Sequence, residues 1–131
     1  MRSTRSLSRR TKRQGGSLSS WEVIAPDEEE EGLTIDAAVF GAGSKSLVLT
    51  SGLHGVEGFT GSAIQLQMLR EGLPEDIRVV MIHALNPYGM AKIRRVNENN
   101  VDLNRNFLRS AEDYKGSSSE YQQLDHLLNP S

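Results

Sequence analysis

The sequence predicts an α/β fold, with a partial mixed or parallel sheet organised on one βαβ unit. Ser46–Thr50 contains the unbroken apolar run Leu47-Val48-Leu49, and Arg78–Leu85 contains a second, Val79-Val80-Met81-Ile82. Short apolar runs of this kind suit strands buried on both faces. Between them, Phe59–Glu71 carries Ala63, Ile64, Leu66, Met68 and Leu69 as a buried side, and Gly72 and Pro74 close it. A glycine C-cap followed by a proline breaker is a helix stop. Strand, helix and strand at this spacing imply parallel pairing through a right-handed crossover.

The other elements follow in chain order. Met1–Ser20 holds Arg2, Arg5, Arg9, Arg10, Lys12 and Arg13 and no acid, leaving nine basic against 17 acidic residues, a formal charge of −8, in the remainder. With nothing aromatic or periodic among those charges, the segment reads as a disordered basic leader. An acid-free Arg/Ser run also has the composition of a transit peptide or a nucleic-acid arm. Gly15–Ser20 reads as a linker, which divides the chain into a leader, 1–20, and a folded part, 21–131. Asp27–Glu31 is a solvated acidic turn, and Thr34–Phe40 a strand near the sheet edge. Thr60 is placed to cap the crossover helix. Asn86-Pro87-Tyr88-Gly89 reads as a turn, with Pro where φ near −65° is wanted. Glu120–Leu128 is a final short helix stopped by Asn129-Pro130. One strong crossover helix is little cover for a parallel sheet, so marginal stability is expected of this chain alone.

Composition narrows the chemistry. The chain has 131 residues, room for one domain, and no cysteine, which rules out a disulfide framework and a thiolate metal site. Zinc here would have to use histidine, carboxylate and water. No apolar run is long enough to span a bilayer, and no apolar segment follows the basic residues as a secretory signal requires. A cytoplasmic protein with neither membrane nor nucleic acid as a partner is the expectation.

Ligands of open parallel sheets bind beyond the carboxyl ends of the strands. Two polar segments fall there: Ser51-Gly52-Leu53-His54-Gly55-Val56-Glu57-Gly58 after one strand, and Asn86–Arg105 after the other. His54 and Glu57 can reach one cation if the backbone bends between them, which Gly55 and Gly58 permit. An imidazole and a carboxylate belong to a known catalytic zinc set of two histidines and one glutamate. The second segment offers Arg94-Arg95 and then Val101-Asp102-Leu103-Asn104-Arg105-Asn106-Phe107. A guanidinium fork grips a carboxylate through two parallel hydrogen bonds, and a second guanidinium can polarise a carbonyl. Taken alone, Asn97–Asn100 is equally a turn-forming loop.

Together these motifs resemble the zinc carboxypeptidase superfamily. The likeness is to a poorly characterised bacterial branch carrying His-Gly-x-Glu-Gly and Asn-Pro-Tyr-Gly…Val-Asp-Leu-Asn-Arg-Asn-Phe. It runs from about Leu47 to the end of the chain, which makes this an amino-terminal part of such a domain. The resemblance implies a Zn2+ cofactor held by His54 and Glu57. It implies that Arg95 polarises the scissile carbonyl, and that Asn104 and Arg105 bind the substrate's terminal carboxylate. The implied activity is hydrolysis of a peptide or amide bond next to a free carboxylate. The pattern's third ligand, a later histidine, and its general base are not matched here.

Three readings stay open: a peptidase part, an aminoacylase-like part acting on N-acyl amino acids, and a non-catalytic fragment that binds carboxylate-ended ligands. His83, inside an apolar strand, is expected in the core or behind the site rather than as a ligand. His126 is expected at the surface. Tyr88 and Tyr114 suit turn and surface roles better than stacking on substrate. Ser51 beside His54 makes a nucleophile only with an acid and an oxyanion hole that the sequence does not place.

Overall fold

The computed structural model describes residues 9, 11–24, 32–110, 116–117 and 119–128. Its elements are β1 (Ser17–Glu22), β2 (Thr34–Phe40), β3 (Ser46–Thr50), a 3₁₀ turn (Gly55–Glu57), α1 (Gly58–Glu71), β4 (Arg78–His83), α2 (Pro87–Ala91) and α3 (Ser119–Leu128). The four strands form one sheet in the order β1-β2-β4-β3. β3 and β4 pair in parallel, as the βαβ reading requires, while β1–β2 and β2–β4 are antiparallel. The protein is thus a mixed α/β fold.

Alternation along β2 and β4 sets the core. Register pairs Phe40 with Val79, Ala38 with Met81 and Asp36 with His83, so these six side chains share one face. Ala38, Phe40, Val79 and Met81 pack with Leu69 of α1 into the buried cluster. The same face ends in a polar pair, Asp36 and His83, at the carboxyl end of β4. Ser20 on β1 donates to Asp36.

Several expectations are corrected. Ser17–Ser20 are strand rather than linker, and Gln14 donates its carboxamide to the carbonyl of Leu69 at the end of α1. Residues 11–20 therefore belong to the fold instead of a disordered leader; residues 1–8 and 10 lie outside those described. β2 lies near the sheet edge as expected, one strand in, with the unexpected β1 outermost. β3 is the edge and is not buried on both faces: Val48, on the face opposite the core cluster, is 56% exposed. α1 buries Leu69 with Met68 against the core as expected, but it also turns Ser62 and Gln65 inward and leaves Ala63 and Ile64 exposed, Ile64 at 58%. Its N-cap is Glu57, without a side-chain cap bond, because the helix grows directly out of the 3₁₀ turn and Thr60 lies inside it. Asn86–Gly89 is the start of α2 rather than a free turn, with Pro at the first helical position. The final helix is present and exposed throughout, His126 with it. The acidic run 27–31, Tyr114 and Asn129-Pro130 lie outside the described residues. Among those described, no helix is long and apolar enough to cross a membrane.

Burial holds the His83 imidazole below its ordinary value of 6.5, against an opposing pull from Asp36. Below 6.5 the unfolded chain therefore binds a proton that the folded chain resists, so stability is full above that value and falls with falling pH. Denaturation of the parent at pH 7 and pH 5 should show this loss, and His83→Gln should make it smaller. Equal pH dependence in the two proteins would contradict the assignment.

Candidate active site

Backbone pairing continues past the strand ends. Leu85 N donates to Ser51 O (3.0 Å) and Asn86 N to Gly52 O (2.8 Å), which brings both polar segments to one end of the sheet. Gly52 turns the chain there at φ +70°. The next residues tighten into the 3₁₀ turn, where three residues make a full revolution and positions i and i+3 eclipse. His54, extended at the start of that turn, and Glu57 at its end therefore face the same way, with Nδ1 3.5 Å from Oε2.

Space, more than φ freedom, explains the glycines of this segment. Gly58 has an ordinary helical φ of −59°. A Cβ on Gly55 would sit 1.9 Å from the backbone carbon of Gly89, so the His54 turn lies backbone to backbone on α2. Val56 N also donates to Arg94 O (3.2 Å), tying the turn to the arginine loop.

Asp102 joins the two halves of the site. Its Oδ1 accepts from His54 Nε2 at 3.0 Å and its Oδ2 from Arg95 Nε at 2.7 Å. The Arg95 hydrogen bond, then those from His54 and the Asn104 amide, hold the Asp102 carboxyl down at about 2. An ionised carboxylate only accepts, so His54 Nε2 must carry a proton. In the neutral ring Nδ1 is then the lone-pair nitrogen, and it faces Glu57. His54 is held at 10% side-chain exposure while Glu57 is open at 71%.

Beside them is a cavity of about 310 Å³ lined by Thr50, Ser51, His54, Glu57, Gly61 and Asn104, among others. The structure thus places His54, Glu57 and Asn104 on one cavity and Arg95 one carboxylate away. Arg105 is not among the lining residues; exposed, it donates to the carbonyl of Asn104 (3.2 Å). Among the described residues no group of three His, Cys, Asp or Glu side chains is placed to hold a metal. His54 Nδ1 and Glu57 Oε2, 3.5 Å apart, form a pair of donors that can approach one cation. The donor types fit half of a zinc site.

Asp102 stands inside the Val101–Phe107 motif with no role expected of it from sequence. A carboxylate two residues before an Asn-Arg pair, with a candidate ligand histidine elsewhere, was the available signal, because ligand histidines usually give their other N–H to a carboxylate. Ser51 is accounted for differently. Gln65 Nε2 donates to Leu49 O (3.2 Å) and Ile82 O (3.0 Å), which aims Gln65 Oε1 at the Ser51 hydroxyl 3.0 Å away. Ser51 therefore donates to Gln65, and His83 Nδ1, 3.3 Å off, must donate to Ser51. A serine whose proton points away from the histidine is a pin between α1 and β4, not an activated nucleophile. Tyr88 is buried in α2 with the Arg94 guanidinium 5.8 Å over its ring.

The chain belongs to the family described as Protein of unknown function (DUF2817), whose model matches residues 5–131. Three solved structures share its fold. A protein described as a candidate metallopeptidase from Shewanella denitrificans OS217 aligns with TM-score 0.66 at 21% identity, covering 96% of this chain and 45% of its own. A second protein so described, from Shewanella amazonensis SB2B, gives TM-score 0.59 at 24% identity, with coverages of 97% and 50%. The succinylglutamate desuccinylase/aspartoacylase of Rhodobacter sphaeroides gives TM-score 0.57 at 26% identity, with coverages of 88% and 35%. The chain therefore spans half or less of each neighbour's length. No curated protein matches the sequence significantly.

Two substitutions test this geometry. Gly55→Ala should destabilise the chain by about 3 kcal/mol or more, since the added methyl meets backbone and not a movable side chain; unchanged thermal unfolding would refute the close packing. If His54 and Glu57 hold zinc, Asp102→Asn should weaken that binding by roughly ten- to a hundred-fold while the fold survives. Competition against a chromophoric chelator reads that loss directly, and unaltered zinc affinity would remove Asp102 from the site.

Proposed function

We propose that this chain supplies the first two metal ligands and the substrate-gripping side chains of a zinc-dependent hydrolase that cuts an amide bond next to a free carboxylate. The observation that carries the reading is the Asp102 carboxylate shared between His54 Nε2 and Arg95 Nε. It orients a candidate ligand and a candidate electrophile with one group. Its family resemblance is to the zinc carboxypeptidase superfamily.

His54 Nδ1 and the Glu57 carboxylate would hold the zinc. When bound, the ion supplies Lewis-acid polarisation of the scissile carbonyl and acidifies a water. Arg95, pinned through Nε, keeps its two Nη groups for the same carbonyl oxygen. Asn104 offers a neutral donor at the cavity wall. Arg105 takes the substrate carboxylate after its guanidinium leaves the carbonyl of Asn104. The third ligand and the general base belong to whatever completes the site. Glu57 cannot be both ligand and free base.

The resemblance to the desuccinylase/aspartoacylase, a name that itself implies acylated amino acids, supports N-acyl amino acids as a substrate class alongside peptides. Both classes present the carboxylate that Asn104 and Arg105 would read.

Zinc titration and substrate trials of a full-length relative test the proposal together. His54→Ala should reduce zinc affinity at least about ten-fold, and Arg105→Ala should mainly raise KM for both N-acyl amino acids and short peptides. Preference between those substrates separates the acylase from the peptidase form. Zinc binding that ignores both His54 and Glu57 would defeat the proposal.

A further inference from the structure

We propose that Asn86 is a positioning residue: its buried carboxamide anchors the loop that carries Arg95, and so sets where the guanidinium and Asp102 meet His54. The catalytic meaning of that role rests on the function proposed above; the tether itself does not.

Asn86 is 1% exposed and makes four hydrogen bonds to three parts of the site. Its backbone N–H donates to Gly52 O (2.8 Å) in the His54 segment, and its backbone carbonyl accepts from Met90 N (3.1 Å) in α2. Its Oδ1 accepts from Gly89 N (2.8 Å), and its Nδ2 donates to the carbonyl of Arg95 (3.2 Å). Capping explains only the oxygen, since Ser, Thr or Asp caps a helix equally well. A carboxamide adds a donor beside that acceptor, and here the donor lands on the residue whose guanidinium meets Asp102.

Two further features support the tether. A Cβ on Gly89 would come within 2.5 Å of Asn86 Nδ2, so the glycine leaves the carboxamide its path to Arg95. Ile93 has φ +54°, a left-handed backbone that a β-branched residue adopts only under constraint. That reversal folds the chain back, with Arg94 N donating to Gly89 O (2.8 Å) and Arg94 O accepting from Val56 N. The Asn86 carboxamide closes this loop onto α2 by a side-chain hydrogen bond, beside the Arg94 guanidinium over the Tyr88 ring. From Arg95 the order passes through Nε to Asp102 and on to His54.

Two variants of the full chain test the role. Asn86→Ser keeps a capping oxygen and is too short to reach the Arg95 carbonyl. Asn86→Asp keeps the shape and sets an oxygen against that carbonyl. Hydrogen–deuterium exchange should quicken about ten-fold or more for amides between Arg94 and Arg105, with α1 and β4 near the parent rate. Parent-like exchange in that loop would overturn the proposal, as would both variants losing protection everywhere, since Asn86 would then be a general structural pin. In zinc competition, Asn86→Ser should weaken binding by itself yet add nothing to Arg95→Ala; additive losses would also overturn it. A parent that binds no zinc would sink the proposed function, and the exchange result would still decide the tether.

Discussion

The site depends on one shared carboxylate. Asp102 stays ionised because Arg95, His54 and the Asn104 amide all donate to it, and in return it fixes the proton on His54 Nε2. That one choice of proton position presents the other ring nitrogen as a lone pair toward Glu57. The contacts span residues 54 to 104, so the loops after two strands act together. The exposed Arg95–Asp102 pair lies within one loop, where an ion pair alone is weak and screened. It is the His54 hydrogen bond to the same carboxylate that joins the second loop to it.

Rigid packing beneath the site makes the shared carboxylate possible. The backbone of Gly55 rests against Gly89, and Asn86 links the His54 segment, α2 and the Arg95 loop. Under them, Gln65, Ser51 and His83 form a buried chain of hydrogen bonds whose direction is set by two backbone carbonyls. Each polar group in that chain has a partner, as burial requires. The apolar core of Ala38, Phe40, Leu69, Val79 and Met81 lies on the same sheet face. The site is the polar end of a row whose other end is the core.

Much of the fold was legible because it is local. Apolar runs marked β3 and β4, the glycine and proline after Glu71 ended α1, and their order demanded a parallel pair. β1 is hard to see locally because Ser17-Leu18-Ser19-Ser20-Trp21-Glu22 has only two apolar residues, three apart rather than alternating, and follows two glycines. Its strand form comes from pairing with β2, which no local pattern announces. The exposed side of α1 was misjudged for a similar reason. Periodicity locates an apolar stripe, of which Leu69 is buried, but the sheet also took in Ser62 and Gln65, and the Gln65 carboxamide bonds to Ser51 and to the carbonyls of Leu49 and Ile82.

By itself the sequence determined the residue types and their spacing: His54 three positions before Glu57, a proline to start α2, and guanidinium groups on the segment after β4. Those follow from covalent order and short-range geometry. Tertiary structure decided what the side chains do. It gave Asp102 to both His54 and Arg95, left Arg105 outside the cavity, made β3 the sheet edge and turned Ser51 into a pin. Each of these depends on distances between residues far apart in the chain, and such distances exist only once the loops are packed.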